Sequence, residues 1–316
     1  EAYNRSPTAQ LLGLELDTKG RILPIGSNLR KMVNADKEAS SVVRTNLMTR
    51  KPEISDSVPW PRNGTHGKEW TDTDTICWRH WLIDRYGPEF ARSDVWDVWE
   101  ELCRANTYDP LKDYLNGLTL DGKERAATIF IRHLGAKDND YSRLCAKNML
   151  LGAVHRAMHP GCRHDEMVTF YGFEGLGKSA ITRHLCPDPS WFCESMPEKL
   201  GEKDSLMQLD GSWFVEIAEL KAIMGSSAEQ TKAFLSATVD KYRPPYEKLA
   251  RTFPRRCVFV GTTNNHHFLT ENGQNRRFLP LEIEKEMVEK DIADERDQIW
   301  AEVMQWHKSG IQARPP

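Results

Sequence analysis

The stretch that decides the fold is Met167–Ser179, which reads Met-Val-Thr-Phe-Tyr-Gly-Phe-Glu-Gly-Leu-Gly-Lys-Ser. It opens on an apolar segment typical of a buried strand and continues into a Gly-x-x-Gly-x-Gly-Lys-Ser loop. Gly172, Gly175 and Gly177 let the backbone wrap a phosphate with its N–H groups, at the positive end of a helix that begins at Lys178. The stretch therefore predicts a phosphate-binding loop between a strand and a helix.

The residues of this loop have separate predicted roles. Lys178 would reach the β- and γ-phosphates of a nucleotide, and the Ser179 hydroxyl would hold Mg²⁺. The complete predicted nucleotide-binding set is Gly172, Glu174, Gly175, Leu176, Gly177, Lys178, Ser179 and Ala180. A glycine turn without a ligand is the alternative, and the strand before the loop and the helix after it favour phosphate binding.

A second apolar strand, within Gly211–Leu220, ends in carboxylates. Its sequence, Gly-Ser-Trp-Phe-Val-Glu-Ile-Ala-Glu-Leu, places Glu216 inside the apolar run and Glu219 at the strand exit. Glu219 is therefore the predicted base for an attacking water, and the predicted Mg²⁺ site is Ser179, Glu216 and Glu219. A buried, unpaired carboxylate is costly, so Glu216 requires a partner or the metal. A surface strand with solvated acids is the alternative.

Two further segments supply candidates for catalysis. The apolar strand Cys257–Thr262 leads to Asn264, which would sense the γ-phosphate and orient water, although an Asn at a strand end is often a turn former. Arg276 and Arg277 precede an apolar segment and suit an arginine finger, a planar cation that stabilises charge on a transferring phosphoryl group. A finger acts on a neighbouring subunit's nucleotide, which predicts an oligomer. A surface salt bridge is the alternative for this pair.

Residues 241–256 combine basic and aromatic side chains. The basic residues are Lys241, Arg243, Lys248, Arg251, Arg255 and Arg256, against the single acid Glu247, with Tyr242, Tyr246 and Phe253 interleaved. Basic groups for phosphates and aromatic rings for stacking are the chemistry of single-strand binding. Pro244-Pro245 favours a protruding turn over a helix. A solvated charged face is the alternative.

Strands and helices alternate after residue 160. The predicted strands are Met167–Tyr171, Trp213–Ile217 and Cys257–Thr262, with helices from Lys178 and around Thr231–Thr238. This alternation predicts an α/β fold with a parallel sheet and helices on both of its faces.

A separate, small and mostly helical N-terminal domain is predicted over residues 1–105, before the α/β domain of residues 106–316, whose leading segment Ala126–His159 is helix-rich. The N-terminal domain contains two predicted amphipathic helices; Gly87-Pro88 ends the first, and Ser93 is the predicted N-cap of the second. Their apolar faces are Trp78, Trp81, Leu82 and Tyr86, and Val95, Val98, Trp99 and Leu102. A DNA-binding unit and a plain helical accessory domain both fit this pattern.

Composition limits the protein class. The 43 basic and 46 acidic residues give a net charge of −3, which excludes a polycation but allows a local basic stripe. Seven scattered cysteines without a Cys-x-x-Cys pair indicate reduced thiols. Charges interrupt every apolar run, so we expect a cytoplasmic protein without membrane association. The spacing of His155, His159, Cys162 and His164 matches no standard zinc site.

The ordered series of motifs resembles the virulence-associated protein E family, a phage and mobile-island group within the superfamily 3 helicases of the AAA+ class. Residues 106–305 carry the resemblance, and an ordered series is more specific than any single motif. The matching segments are Tyr108–Leu115, Leu120–Arg125, His159–Cys162, the Gly172–Ser179 loop, Phe214–Leu220, Lys232–Ser236, Val239–Tyr246, Pro254–Cys257, Gly261–Asn264 and Asn275–Phe278.

This resemblance implies an AAA+ P-loop ATPase that uses ATP and Mg²⁺. Lys178 and Ser179 match Walker A, Glu219 with Glu216 matches Walker B, and Asn264 matches sensor 1. Arg276 or Arg277 would be the finger. The stretch Lys232–Tyr246 matches the segment that such helicases place in a central channel. Together with the basic residues beyond it, this stretch gives the DNA-binding candidates Lys232, Lys241, Arg243, Tyr246, Lys248 and Arg251.

The function that the resemblance implies is an ATP-dependent DNA helicase or translocase. It would assemble as a ring, expected to be a hexamer, and replicate a phage or mobile element in the cytoplasm of a bacterial host. Two alternatives stay open. One is a DNA-binding initiator or regulatory module in which the bound nucleotide sets the assembly state and no processive unwinding occurs. The other is a small-molecule P-loop kinase.

Overall fold

The computed structural model describes residues 10–55, 57–62, 67–194, 196, 200–220, 228–243, 249–266, 268 and 276–312. The chain divides into two units, Glu1–Pro110 and Leu111–Pro316. The predicted Tyr246 and Lys248 lie outside the described residues.

The first unit combines four helices with a small sheet among its described residues. The helices are α1 (Gly26–Ala35), α2 (Lys37–Ser40), α3 (Asp72–Tyr86) and α4 (Arg92–Ala105). The strands are β1 (Val43–Asn46), β2 (Lys51–Ile54) and β3 (Thr107–Tyr108). Strand β1 is central, antiparallel to β2 and parallel to β3.

The two long helices of this unit bury the faces that their spacing predicts. Trp78, Leu82 and Tyr86 of α3 are buried, as is the predicted apolar face of α4. Gly87 ends α3 with a φ of 95°, a conformation that glycine adopts without strain. The predicted N-cap of α4 was wrong: the helix begins at Arg92, so Ser93 lies inside its first turn and cannot cap it.

The second unit contains a five-stranded, all-parallel sheet. Its strands are β4 (Met167–Tyr171), β5 (Phe192–Cys193), β6 (Phe214–Ile217), β9 (Val258–Thr263) and β10 (Phe278–Glu282). Their order in the sheet is β10-β4-β9-β6-β5. A separate antiparallel pair is formed by β7 (Val239–Tyr242) and β8 (Arg251–Pro254). The described helices are α5 (Pro110–Gly117), α6 (Ile129–Leu134), α7 (Asp140–Met158), α8 (Lys178–Leu185), α9 (Lys203–Met207), α10 (Ala228–Ser236) and α11 (Glu289–Lys308).

Helices cover both faces of the sheet, as predicted. Every residue of β6 and β9 is buried, which is the pattern of parallel strands packed on two sides. On one face, the Phe214 ring lies 6.1 Å from the Trp300 ring of α11. On the other, Val215 and Ile217 pack in one cluster with Phe234 of α10. Successive residues of a strand point to opposite faces, so the two sets of contacts belong to different layers.

The insertion of β9 between β4 and β6 sets the geometry of the sheet's carboxyl edge. In the parallel register Tyr171 pairs with Thr263, and Ile217 pairs with Gly261. Because the three strands end side by side, the residues that follow them meet at one edge. Ligand sites of parallel sheets lie at this edge.

A buried ion pair fixes the base of the β7–β8 hairpin. Arg255, which the sequence groups with a surface basic stretch, is 1% exposed and pairs with Asp240, which is 6% exposed. Its guanidinium also donates to the Phe234 carbonyl and lies 4.8 Å from the Phe234 ring and 5.4 Å from the Phe259 ring. Arg255 is therefore a core residue and does not belong to a surface that could bind nucleic acid.

The Asp240→Asn substitution should lower the free energy of unfolding by about 3 kcal/mol, because it leaves the buried Arg255 cation without its counter-ion. Urea denaturation followed by circular dichroism measures this loss. The control is Lys241→Ala on the adjacent exposed position, where we expect a change within about 0.5 kcal/mol. Equal stability of the two variants would contradict the structural role of the pair.

Candidate functional site

The glycines of the loop between β4 and α8 are required by geometry. Gly172, Gly175 and Gly177 have φ values of 144°, 84° and 86°, which side-chain-bearing residues rarely adopt. A Cβ on Gly172 would lie 2.4 Å from the Ile283 carbonyl oxygen, and one on Gly177 would lie 2.8 Å from Cβ of Met287. The segment after β10 thus packs closely on the loop and holds it in its curved conformation.

Lys178 joins the loop to the neighbouring strand β9. Its Nζ donates to the carbonyl oxygens of Gly172 (2.8 Å) and Phe173 (2.6 Å) and to Oδ1 of Asn264 (2.8 Å). The residue is 8% exposed. Burial lowers the pKa of this ammonium, and the carboxylate of Glu174 opposes the shift. Three acceptors hold the cation at the start of α8, where helix-end N–H groups add positive potential.

Glu216 receives two hydroxyl hydrogen bonds inside the sheet. Its Oε1 accepts from Ser179 Oγ (2.5 Å) and from Thr262 Oγ1 (2.6 Å). The residue is 2% exposed, so the prediction that it requires a partner is confirmed. Hydroxyl and carboxylate oxygens are the donors that a hard divalent cation prefers, and Ser179 with Glu216 fits Mg²⁺ in this respect. Thr262 was missed, although it follows four buried positions of the same strand.

Glu219 lies just beyond β6 in a strained backbone conformation. Its φ and ψ are 49° and 16°, and the next residue, Leu220, has a φ of 53°. Consecutive non-glycine residues in the left-handed region are costly, and such strain concentrates at functional sites. The Glu219 side chain is exposed and lines the same cleft as the loop. Its position is that predicted for a base at the strand exit.

A cleft of about 410 Å³ brings most of the predicted residues together. The predicted residues that line it are Glu174, Gly175, Leu176, Gly177, Lys178, Ser179, Ala180, Glu216, Glu219 and Asn264. Sequence reasoning missed four further lining residues, namely Arg183, Ala218, Thr262 and Thr263. Of these, Arg183 carried a usable signal, because it lies four residues after Ser179 and so on the same face of a predicted helix.

The predicted finger residues lie away from this cleft. The Arg277 carbonyl accepts from Met167 N (2.7 Å) at the start of β4, and Phe278 pairs with Met167 in the sheet. Arg276 and Arg277 therefore stand at the amino-terminal edge of the strands, whereas the cleft is at the carboxyl edge. Arg276 is exposed there. Neither arginine is placed to act on the cleft of its own chain.

The predicted DNA-binding residues do not form one surface. In the hairpin register Lys241 is opposite Thr252, whereas Arg251 is opposite Tyr242. Directly opposite residues share a face and neighbours alternate, so Lys241 and Arg251 lie on opposite faces. Arg243 is exposed just after β7, and Lys232 is half-buried on α10.

Two of the aromatic residues in this stretch are structural. The rings of Tyr242 and Phe253 are buried and lie 4.7 Å apart, and the Tyr242 hydroxyl donates to Asp210. These rings pack against each other, so they are not available for stacking on bases. The interpretation of residues 241–256 as a continuous aromatic and basic surface is wrong at these positions.

The histidines near the end of α7 form a packed cluster with α11. The His307 ring lies 5.0 Å from that of His155 and 5.5 Å from that of His159.

His164, which follows His155 and His159 in the sequence, has a largely buried side chain. Burial, with a smaller contribution from Arg156, lowers the pKa of His164 to about 3. No three His, Cys, Asp or Glu side chains within the described ranges are arranged to hold a metal ion.

The fold and the cleft define an α/β protein with a glycine-rich loop at the carboxyl edge of a parallel sheet. Residues 115–315 match the family described as the Virulence-associated protein E-like domain. The match spans more than half of the chain, and the chain belongs to this family.

One solved structure shares the fold at low sequence identity, and a second is similar at a lower TM-score. The apo structure of the NrS-1 C-terminal region is similar with a TM-score of 0.51 and 11% identity, covering 86% of this chain and 67% of that chain. An A-form apo structure of the same region gives a TM-score of 0.49 and 12% identity, covering 83% and 65%. No curated protein matches the chain. Within the described part of the chain, no helix has the length and apolar character needed to cross a bilayer.

Acidification should destabilise the protein through His164. Its folded pKa of about 3 lies below the ordinary 6.5, so only the unfolded state binds a proton between these values. The stability that the neutral ring confers is complete above pH 6.5 and is lost as the pH falls towards 3. The largest contribution of this residue to the slope is about 1.4 kcal/mol per pH unit.

The His164→Asn substitution should reduce this slope, because it removes the titrating ring. Urea denaturation at a series of pH values from 7 to 4.5 measures the effect. The control is His80→Asn, at an exposed histidine, which should keep the slope of the unsubstituted protein. An undiminished slope in the His164 variant would show that other groups produce the acid sensitivity.

Proposed function

We propose that this chain is an AAA+ type P-loop ATPase that binds ATP with Mg²⁺ in the cleft beside α8 and hydrolyses it. The observation that carries the proposal is the meeting of Lys178 and Ser179, at the start of α8, with Glu216 of β6 and with Asn264, the residue after β9. A lysine, a hydroxyl, an amide and a carboxylate on one edge of a parallel sheet are the parts that phosphoryl transfer requires.

Binding would use the loop backbone and the Lys178 ammonium. The N–H groups at the start of α8 and the curved glycine loop are suited to the oxygens of an anionic phosphate. Lys178 would contact the β- and γ-phosphates in place of some of its present acceptors, which are two carbonyls and an amide. The ligand class that fits is a nucleoside triphosphate.

Hydrolysis would divide the remaining roles among four side chains. Ser179 and Glu216 would hold Mg²⁺, which supplies charge neutralisation to the phosphates when bound. Glu219, exposed at the strand exit, would accept a proton from the attacking water. Asn264, directly after β9, would orient that water and contact the γ-phosphate, so that a change at the phosphate would be felt at the end of β9.

We further propose that ATP hydrolysis moves DNA during replication of a phage or mobile element. Membership of the Virulence-associated protein E-like family supports this, together with the exposed basic residues Lys241 and Arg243 at the end of β7. Arg276 and Arg277 stand on the edge opposite the cleft, which suits action on a neighbouring subunit's nucleotide in a ring, here proposed as a hexamer.

The first test is ATP hydrolysis by the purified chain. Lys178→Ala should lower the rate by about 100-fold or more, because a pre-organised charge is lost from the phosphate site. Glu219→Gln should lower kcat with little change in the affinity for ATP, because it removes the base and keeps the shape. Lys37→Ala, at an exposed lysine of the first unit, is the matched control. A Lys178→Ala variant as active as this control would exclude the proposed site.

The second test concerns the nucleic acid. Single-stranded DNA should stimulate the ATPase, and Lys241→Ala with Arg243→Ala should weaken the DNA dependence while retaining the basal rate. Stimulation by a small hydroxyl compound alone would favour a kinase over a DNA motor. Fork unwinding separates the helicase from a nucleotide-switched initiator, which would show ATP-dependent assembly without strand separation.

A further inference from the structure

Arg183 is a cation of the cleft to which the sequence motifs assign no role. It lies on α8 four residues after Ser179, and residues so spaced share a helix face. It lines the cleft together with Ser179, Glu216 and Glu219. Side chains on a helix lean towards its amino terminus, so a long arginine reaches back from its own turn towards that of Ser179. Arg183 therefore lines the same cleft as the candidate Mg²⁺ donors Ser179 and Glu216.

The present partners of Arg183 come from β5 and the residue after it. Its guanidinium pairs with the Glu194 carboxylate, and its Cζ lies 5.5 Å from the centroid of the Phe192 ring. The side chains are 43% and 70% exposed for Arg183 and Glu194, respectively. Ion pairs with this exposure contribute little net stability because water screens them. The guanidinium can thus exchange its carboxylate for another anion at small cost.

We propose that Arg183 is a phosphate ligand of the bound nucleotide and that Glu194 competes with the phosphate for its guanidinium. This inference rests on the proposed function of the cleft. It adds a binding residue contributed by the same chain, and a carboxylate that weakens binding. In this arrangement the Arg183–Glu194 pair sets the affinity for the nucleotide without taking part in the chemical step.

The chemistry of the two anions explains the direction of the exchange. A triphosphate carries several charges, and the guanidinium fork matches two phosphate oxygens as well as it matches a carboxylate. The Phe192 ring attracts the planar guanidinium and favours its present position, whether Arg183 is paired with Glu194 or with a phosphate. Because Arg183 lines the cleft together with Ser179 and Glu216, where a metal and the terminal phosphates would bind, its contribution should be larger for ATP than for ADP.

The experiment measures affinities of a non-hydrolysable ATP analogue and of ADP, each with Mg²⁺, by calorimetric titration. Arg183→Gln should weaken binding of the ATP analogue about 10-fold, and binding of ADP less. Glu194→Gln should tighten binding of the analogue about 3-fold, because the competitor loses its charge. The gain should disappear when both substitutions are combined. Arg183→Lys, which keeps the charge and loses the fork, should fall between Arg183→Gln and the unsubstituted chain.

Controls separate this inference from the proposed function. Arg143→Gln removes an arginine of the same unit that pairs with Asp138 away from the cleft, and it should leave both affinities unchanged. If the unsubstituted chain fails to bind the ATP analogue, or Lys178→Ala binds it equally well, the proposed function fails. If binding depends on Lys178 but Arg183→Gln binds as tightly as Arg143→Gln, or Glu194→Gln weakens binding, only the role of Arg183 is overturned.

Discussion

The hydrogen bonding of Glu216 is the constraint on which the rest of the site depends. A carboxylate inside a fully buried strand is tolerated only when polar donors replace the water it has lost. Here the donors are Ser179, from the first turn of α8, and Thr262, from the neighbouring strand β9. This single oxygen of β6 therefore links α8, which follows the glycine-rich loop, to strand β9. A shift in register of either strand would break the contact with Thr262, so the charge also enforces the alignment of the sheet.

The same strand β9 links the cleft to the hairpin. Directly after its carboxyl end, Asn264 accepts a hydrogen bond from Lys178. Near its amino end, the Phe259 ring lies beside the guanidinium of Arg255, which pairs with Asp240 of β7. Every residue of the strand is buried between helices on both faces, so it is a rigid connection between the loop and the hairpin base. This connection provides a physical route between the two parts, and coupling along it requires two populated arrangements of the strand.

Much of this architecture could be predicted because buried parallel strands leave a strong trace in sequence. Met167–Tyr171 and the helix start at Lys178 are predicted at their observed positions, since an apolar run meets a glycine loop there. Strand β5 has two residues and β10 contains a proline, so neither shows a periodic pattern. Composition also cannot distinguish a buried from an exposed cation, which is why Arg255 was assigned to the surface. Contacts such as that of Thr262 depend on the order of the strands, which a linear sequence does not display.

The site as it stands shows what a nucleotide would have to replace. Lys178 already has three acceptors, and the Ser179 hydroxyl already donates to Glu216. Under the proposed function, phosphate binding is therefore an exchange of hydrogen bonds, and its net free energy is a difference between old and new partners. A cation that takes an oxygen from both Ser179 and Glu216 must also turn the Ser179 proton away from the carboxylate. Under the proposed function, Mg²⁺ and nucleotide would then favour each other's binding, because each would supply charge that compensates for the contacts the other disrupts.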